Sequence, residues 1–274
     1  MGRLFHKRKY DPNIRIVPDS ELRKAVRPPY NKLCDISDWR EGPFTEYLRK
    51  LNESPMIHRK AWEYANCVWG LEELGVVCEE SVALSVAAGH ERPLFYFANK
   101  ISRVVATDMY GGGPDGDPEM LTNPWKFAPF PYRKDHLEVF LMDGAELSFA
   151  PESFDFIFSL CSIEHFGGHE RAAKAMGEMY RVLKAGGVCC VSTEIILNNR
   201  PHNEYFTHSE LEQYVLKAAP FSLAGTDTID LRISESLLRH PIKLGEEEDL
   251  RVSPHIVLEG GRRVFTSIIL FLRK

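Results

Sequence analysis

The sequence lacks any apolar run long enough to cross a membrane. No stretch approaches the roughly 20 apolar residues that a membrane-spanning helix needs, and no N-terminal segment resembles a secretory signal. Gly2 invites comparison with a myristoylation signal, but His6 stands where that signal requires Ser or Thr. We therefore expect no membrane association and a cytoplasmic protein.

Disulfide and metal-binding patterns are also missing. The six cysteines include no C-x-x-C pair and no zinc-type spacing to histidine. Cys189 and Cys190 are adjacent within an apolar run, which indicates buried thiols on opposite faces of a strand. Asp115 and Asp117 suggest calcium, but its twelve-residue ligand pattern is absent. We expect reduced cysteines, a reducing compartment and no metal.

An excess of basic charge is missing as well. The formal net charge of −5 excludes the broad basic surface of a general nucleic-acid-binding protein. Lys and Arg nevertheless outnumber Asp and Glu by fourteen to eight within residues 1–60. The basic start, formed by Arg3 and Lys7–Lys9, is either a solvated tail or a contact for an anionic partner.

The length of 274 residues favours one α/β domain with an extension. Prolines interrupt any long helix within residues 1–50. Apolar residues there, including Leu22 and Leu33, indicate that part of this segment packs onto the body. We expect an N-terminal extension over residues 1–55 and the main domain over residues 56–274.

Alternating helix and strand patterns fill the rest of the chain, beginning with a helical periodicity over Ile57–Leu74. The predicted strands are Val82–Ala87, Val104–Asp108, Leu137–Met142, Phe154–Leu160 and Val188–Ser192. The predicted helices are Pro93–Lys100, Glu170–Leu183 and Thr207–Leu216. A closing hairpin joins Val257–Leu258 to Phe265–Leu272. This alternation predicts a mainly parallel sheet with both faces covered.

Small and acidic residues follow successive strands, at the edge where ligands bind in such sheets. Gly89 and the alanines before it allow close approach of the backbone to a ligand. Asp108, nineteen residues beyond Gly89, suits hydrogen bonds to ribose hydroxyls. Asp143 follows the third strand, where a carboxylate can accept from an adenine amino group. The polar and aromatic segment Ser159–Phe166 follows the fourth.

The chain resembles the small-molecule (type 11-like) branch of the class I S-adenosylmethionine-dependent methyltransferases in four segments: ALSVAAGHE (83–91), VVATDMY (104–110), EVFLMDGAELSFAPESFDFIFSLCSIEHF (138–166) and EMYRVLKAGGVCCVSTE (178–194). The resemblance spans about residues 80–220. It implies a Rossmann-like, seven-stranded, mostly parallel sheet with a C-terminal antiparallel hairpin. It also implies S-adenosyl-L-methionine as cofactor and methyl transfer to a hydroxyl or amine of a small polar acceptor, namely a sugar, nucleotide-sugar or secondary metabolite.

The resemblance also assigns cofactor contacts. Ala87, Gly89 and Glu91 occupy the glycine-loop positions near the methionine end of the cofactor. Asp108 matches the ribose-binding acid, and Asp143 matches the acid that holds the adenine amino group. The neighbours assigned to the same pocket are Ala88, Met109, Gly144, Ala145 and Cys161.

Two features depart from the family pattern. Ser85 stands inside the first strand where an acid is usual, and the G-x-G-x-G loop is reduced to A-x-G-x-E. Alanine is accommodated at position 87 if its φ is negative. Glu91 either meets the ammonium of the methionine moiety or merely lies at a helix N-terminus. A nicotinamide cofactor is rejected because Arg92 stands where its fingerprint needs a third glycine.

Methyl transfer from a sulfonium is a direct displacement that needs alignment and, for a hydroxyl acceptor, a base. His165 is the first candidate base, because it lies just beyond the fourth strand and histidine is a common general base, and Glu164 is the second. The alternative is that His165 only shapes the pocket.

Two loops are candidates for contact with the acceptor. The aromatic-rich residues 109–136 form either a lid or a cover for the sheet edge. The polar loop Glu194–Thr207 suits a polyhydroxylated acceptor, and its Arg200 either binds an anion or is solvent-exposed.

Two other functions remain open. A catalytically weak or inactive methyltransferase-like protein, which binds the cofactor or docks a partner, would account for the degraded glycine loop. A nucleic-acid methyltransferase is disfavoured, because no N/D-P-P-Y/W motif follows the fourth strand. We expect a small-molecule acceptor and no nucleic acid, while the oligomeric state stays open.

Overall fold

The computed structural model describes residues 9–40, 42–54, 56–111, 116–245 and 254–274. Of the residues singled out above, Gly2, Arg3, His6, Lys7, Arg8 and Asp115 lie outside the described residues. Every helix within these ranges is too short or too polar to span a lipid bilayer.

The strands, in chain order, are β1 (Arg15–Val17), β2 (Lys32–Leu33), β3 (Val82–Val86), β4 (Arg103–Asp108), β5 (Leu137–Leu141), β6 (Phe154–Leu160), β7 (Leu183–Ile196), β8 (Ser222–Leu223), β9 (Arg232–Ser234), β10 (Ile242–Lys243), β11 (Leu258–Gly260) and β12 (Arg263–Arg273). The α-helices are α1 (Asp19–Lys24), α2 (Pro43–Lys50), α3 (Arg59–Glu73), α4 (Arg92–Ala98), α5 (His169–Val182), α6 (His208–Leu211) and α7 (Glu235–Arg239). A π-helical turn over Glu212–Leu216 continues α6.

One large sheet runs in the order β10-β11-β12-β7-β6-β3-β4-β5, and β2 and β8 also pair with β12. The neighbours among β3–β7 are parallel, whereas β12 is antiparallel to both β7 and β11. The expected seven-stranded, Rossmann-like sheet with a C-terminal hairpin is confirmed as β3–β7, β11 and β12. The short strands β2, β8 and β10 extend it.

Helices cover the sheet because its central strands are apolar on both faces. Leu84, Val105 and Ile157 are almost fully buried in three neighbouring strands. Helix α3 lies against β12 so closely that a Cβ atom at Gly70 would overlap the ring of Phe271. Glycine therefore sets the distance between this helix and the sheet.

The N-terminal segment is joined to the rest of the chain by backbone pairing. Strand β1 pairs with β9, and β2 pairs with β12. The Asp35 carboxylate accepts hydrogen bonds from the Ser234 amide at 2.7 Å and the Ser234 hydroxyl at 3.1 Å. The expected boundary between residues 55 and 56 stays a prediction.

A buried ion cluster fixes this segment against α3. The Asp38 carboxylate accepts from Arg27 at 3.2 Å and from the Trp62 indole at 2.6 Å, and lies 3.2 Å from the Lys32 ammonium. Burial lowers the pKa of Lys32 to about 8, although Asp38 acts against this effect. Because both cations are almost inaccessible, their charges depend on the single Asp38 carboxylate and on Asp230 beside Arg27.

The Asp38→Ala substitution should lower the free energy of unfolding by about 3–5 kcal/mol, because it removes the carboxylate beside the buried Lys32 ammonium and leaves Arg27 with Asp230 alone. Urea unfolding measures the loss. The control is Asp135→Ala, since the Asp135 side chain is 85% exposed and its loss should change stability by at most about 0.5 kcal/mol. Equal stability of the two variants would contradict the importance of the cluster.

Candidate functional site

A cavity of about 750 Å³ opens at the carboxyl ends of β3, β4, β5 and β6. The predicted residues that line it are Ala87, Gly89, Glu91, Asp108, Met109, Asp143, Gly144, Cys161 and His165. Three others, Ala88, Ala145 and Glu164, are buried behind this lining. The structure therefore gathers most of the residues that the sequence placed at separate strand ends.

The loop after β3 has a strained backbone. The φ angle of Ala87 is +53°, so the condition under which alanine is accommodated without strain, a negative φ, is not met. Left-handed backbone at a non-glycine residue costs about 1–2 kcal/mol. The hydrogen bonds around the loop hold it there: the Ala88 amide donates to the Thr107 carbonyl, and the Ser162 hydroxyl donates to the Ala87 carbonyl.

Asp108 anchors this loop from the end of β4. One of its carboxylate oxygens accepts from the Gly89 amide at 2.9 Å, and the other accepts from the Tyr110 amide at 2.9 Å. Each carboxylate oxygen has a second lone pair, so further acceptance remains possible. The acid is thus held at the rim of the cavity with capacity for hydroxyl donors.

Asp143 occupies the corresponding place after β5. It accepts from the Ala145 amide at 2.9 Å and from the Arg171 guanidinium at 2.5 Å. Partial burial raises the pKa of Asp143, but these two donors outweigh it, so the pKa lies below its usual value. A Cβ atom at Gly144 would lie 2.6 Å from the Val86 side chain, so only glycine fits beside this acid.

Glu91 lies at the N-terminus of α4, as one interpretation of the sequence proposed, but its side chain does not cap the helix. The carboxylate is buried and faces the Lys60 ammonium at 3.3 Å. Lys60 also donates to the Leu160 carbonyl at 3.0 Å and lines the cavity. Burial lowers the pKa of Lys60, but Glu91 and other nearby anions overcome this and raise it well above its usual value.

A buried polar cluster lies behind Cys161. Arg59 contacts the Glu194 carboxylate at 2.5 Å and the Cys161 thiol at 3.6 Å. Glu164 accepts from the Thr193 hydroxyl at 2.8 Å. Burial, followed by the charge of Glu194, raises the pKa of Glu164 to about 7. The ligand-type atoms of Cys161, Glu164 and Glu194 lie within 4.8 Å of one another, but Arg59 already supplies positive charge there, and we assign no metal.

His165 stands at the outer side of the cavity, in a short helical turn over Ile163–His165. Its side chain is half exposed, and Nδ1 lies 3.3 Å from the Glu204 carboxylate. Its ring centroid lies 6.4 Å from that of Tyr205. The polar loop Glu194–Thr207 therefore reaches the cavity at His165.

The other candidate loop borders the cavity from the opposite side. Gly111 and Gly116 contribute to its lining. The Phe127 ring stacks on His90 with centroids 5.0 Å apart, and Tyr132 packs edge-on against Phe95. These aromatic contacts cover α4 and the loop before it. Whether the segment acts as a lid or covers the sheet edge stays a prediction.

Sequence reasoning missed two charged residues of the lining, Lys60 and Arg171. Both are on helices that were predicted correctly, α3 and α5. Their basic side chains carried no signal of their own, because a lysine or arginine on an amphipathic helix is usually solvated.

Comparison with known proteins adds independent findings. Residues 84–191 match the family model for a methyltransferase domain. A candidate methyltransferase from Bacillus halodurans superposes with a TM-score of 0.51 at 18% identity, covering 75% of this chain and 97% of that one. The sequence matches no curated protein.

Two further solved structures are similar at lower scores. An S-adenosylmethionine-dependent methyltransferase from Aquifex aeolicus has a TM-score of 0.44 at 15% identity, over 84% of this chain and 99% of that one. The 1,6-didemethyltoxoflavin-N1-methyltransferase from Burkholderia thailandensis has a TM-score of 0.45 at 16% identity, over 74% of each chain.

The match over residues 84–191 shows a methyltransferase domain in this chain, and the Bacillus halodurans structure shares its fold. The expected enzyme class and its cofactor, S-adenosyl-L-methionine, are thereby confirmed. The roles of individual residues toward the cofactor and in catalysis stay predictions.

The pKa of Glu164 predicts a pH-dependent stability. Because its folded-state pKa of about 7 lies above the usual 4.5, protonation favours the folded state. This contribution is complete below about pH 4.5 and disappears as the pH rises through 7; a tenfold difference in proton affinity between the two states corresponds to about 1.4 kcal/mol. Thermal unfolding should therefore find Glu164→Gln more stable, relative to the wild type, at pH 8 than at pH 5.

The control for this measurement is Glu46→Gln, since the Glu46 side chain is more than half exposed. Its stability relative to the wild type should be nearly the same at both pH values. A Glu164→Gln variant that behaves like this control would show that Glu164 titrates normally.

Proposed function

We propose that the protein transfers the methyl group of S-adenosylmethionine to a hydroxyl or amine of a small polar acceptor, of the sugar, nucleotide-sugar or secondary-metabolite class. The observation that carries this proposal is the cavity with Asp108 and Asp143 at the ends of adjacent strands. Its volume of about 750 Å³ is within the range of roughly 300–1,000 Å³ that is usual for small-molecule sites.

The polar side chains around the cavity fit this cofactor. Asp108 has remaining acceptor capacity for the ribose hydroxyls, and Asp143 can accept from the adenine amino group. At the far side, Lys60 and Glu91 offer one cation and one anion, which match the carboxylate and ammonium groups of the methionine moiety. We assign the strained loop at Ala87–Gly89 to the same end, where backbone must approach the ligand closely.

When bound, S-adenosylmethionine supplies an electrophilic methyl group on a sulfonium. The chain has to orient the acceptor and, for a hydroxyl, remove its proton. His165 is placed for that task, because the Glu204 carboxylate beside Nδ1 favours the tautomer whose Nε2 accepts a proton. Glu164 is the weaker candidate, since its carboxylate is buried behind the lining.

The surroundings of His165 favour a small polar acceptor. The loop Glu194–Thr207 places hydrogen-bonding side chains next to the cavity. The net charge of −5 disfavours a nucleic acid as the acceptor.

We further propose that residues 1–55 are an extension of a methyltransferase domain that spans residues 56–274.

Cofactor binding tests the proposal first. Asp108→Asn should weaken the binding of S-adenosylhomocysteine about tenfold to a hundredfold in calorimetry, since hydrogen bonds to a charged group contribute about 1.5–3 kcal/mol. Asp135→Asn, on the exposed surface, should bind like the wild type. Unchanged affinity of Asp108→Asn would contradict the assignment, and a wild type that binds no S-adenosylhomocysteine would favour the inactive methyltransferase-like alternative.

Methyl transfer tests it second. With methyl-labelled S-adenosylmethionine and a fractionated cell extract, label should enter the low-molecular-mass fraction. His165→Gln should reduce this transfer about 10²–10⁴-fold if the ring is the base, while its affinity for S-adenosylhomocysteine stays unchanged. Label confined to RNA or protein would overturn the small-molecule acceptor.

A further inference from the structure

A second groove, of about 1080 Å³, lies between the loop after β7 and the β11–β12 hairpin. Its lining includes four cationic residues, one acid and one buried amide side chain. The cations are Lys9, Arg200, Arg262 and Arg263, the acid is Glu259 and the amide is Asn198. We propose that this basic groove binds a phosphate or pyrophosphate group of the acceptor.

The charge of the basic groove runs against that of the chain. Lys9, Arg200, Arg262 and Arg263 converge here, with Glu259 as the acid of the lining, although acidic residues outnumber basic ones overall. Arginine recognises phosphate through paired N–H groups of fixed geometry, and lysine through its point charge. Phosphate is therefore the ligand chemistry that this combination suits best.

The turn of the β11–β12 hairpin, at the basic groove, holds an arginine in a backbone conformation that favours glycine or asparagine. Gly261 and Arg262 have φ angles of +54° and +67°, as at the two central positions of a type I′ turn, where glycine and asparagine are favoured. Glycine satisfies the first position, but an arginine at the second is unfavourable. Strain of this kind clusters at functional sites, and Arg262 is one of the residues that line the groove.

Hydrogen bonds preorganise the basic groove. The Arg263 Nε donates to the backbone carbonyls of Arg200 at 3.1 Å and Pro201 at 2.9 Å, which ties the hairpin to the loop after β7. Asn198, only 8% exposed, donates to the Arg262 carbonyl at 3.0 Å and accepts from the Val264 amide at 3.3 Å. Both walls are thereby fixed relative to each other without a ligand.

One short segment connects the basic groove to the cavity. The loop that contributes Asn199–Pro201 to the groove continues to Glu204, whose carboxylate contacts His165 in the cavity lining. An elongated acceptor can therefore place its anionic group in the groove and its methyl-accepting group near His165. This placement rests on the proposed function, whereas anion binding in the groove does not.

The test titrates the full chain with pyrophosphate in calorimetry at low ionic strength. Arg262→Gly and Arg200→Ala should each weaken pyrophosphate binding at least tenfold. Arg262→Gly should also raise the unfolding midpoint by about 2–4 °C, because glycine relieves the positive φ. A variant that is more stable but binds less well cannot be explained by misfolding. The control, Arg103→Ala, removes an exposed arginine outside the groove lining and should bind like the wild type.

The proposal is overturned if the wild type binds no pyrophosphate, or if Arg262→Gly binds it as the wild type does. It is also overturned if single-stranded RNA binds far more tightly than pyrophosphate with a steep salt dependence, since that indicates a polyanion partner. S-adenosylhomocysteine binding is measured on the same samples. If the protein binds S-adenosylhomocysteine but not pyrophosphate, the proposed methyl transfer stands and the basic groove proposal fails. If it binds pyrophosphate but not S-adenosylhomocysteine, the basic groove proposal stands and the proposed methyl transfer fails.

Discussion

The antiparallel pairing of β12 with β7 is the interaction on which the rest of the structure depends. It runs from Val188 to Ile196 and carries β7 four residues beyond Ser192, the partner of the last residue of β6. This overhang lies at the edge of the sheet where the cavity opens. The cavity adjoins β6, on one side of β7, and the basic groove adjoins the β11–β12 hairpin, on the other side. Without the long β12, the loop that links the two sites would have no support.

Helix α3 supplies the charges that make the cavity possible. Three charged residues in its first turns contact other elements: Arg59 meets Glu194 on β7, Lys60 meets Glu91 at the start of α4, and Glu63 meets Ser267 on β12. Buried carboxylates are tolerated only with such partners. The same helix therefore closes the core and neutralises the acids beside the cavity, which joins stability and binding in one element.

Much of the central sheet follows from the sequence, because strands buried on both faces appear as short apolar runs: β4–β6 match their predicted bounds within one residue. Asp108 and Asp143 followed from their positions at strand ends. Lys60 and Arg171 did not, since only the tertiary packing turns these helical residues toward the cavity. The φ of Ala87 was missed because hydrogen bonds to other strands and loops impose it. Strand β7 begins at Leu183 and not at the predicted Val188, so it includes Gly186 and Gly187. The reason is that Leu183 pairs with Phe154 of β6.

The contact between Gly70 and Phe271 has a consequence for how the sequence can vary. Position 70 admits no larger side chain unless α3 moves away from the sheet. Arg59 and Lys60 lie about three helical turns away on the same rigid element. A shift of this helix therefore also moves Lys60 in the cavity lining and Arg59 beside Cys161. Substitutions at position 70 are thus limited by the geometry of the cavity as well as by the packing of the core.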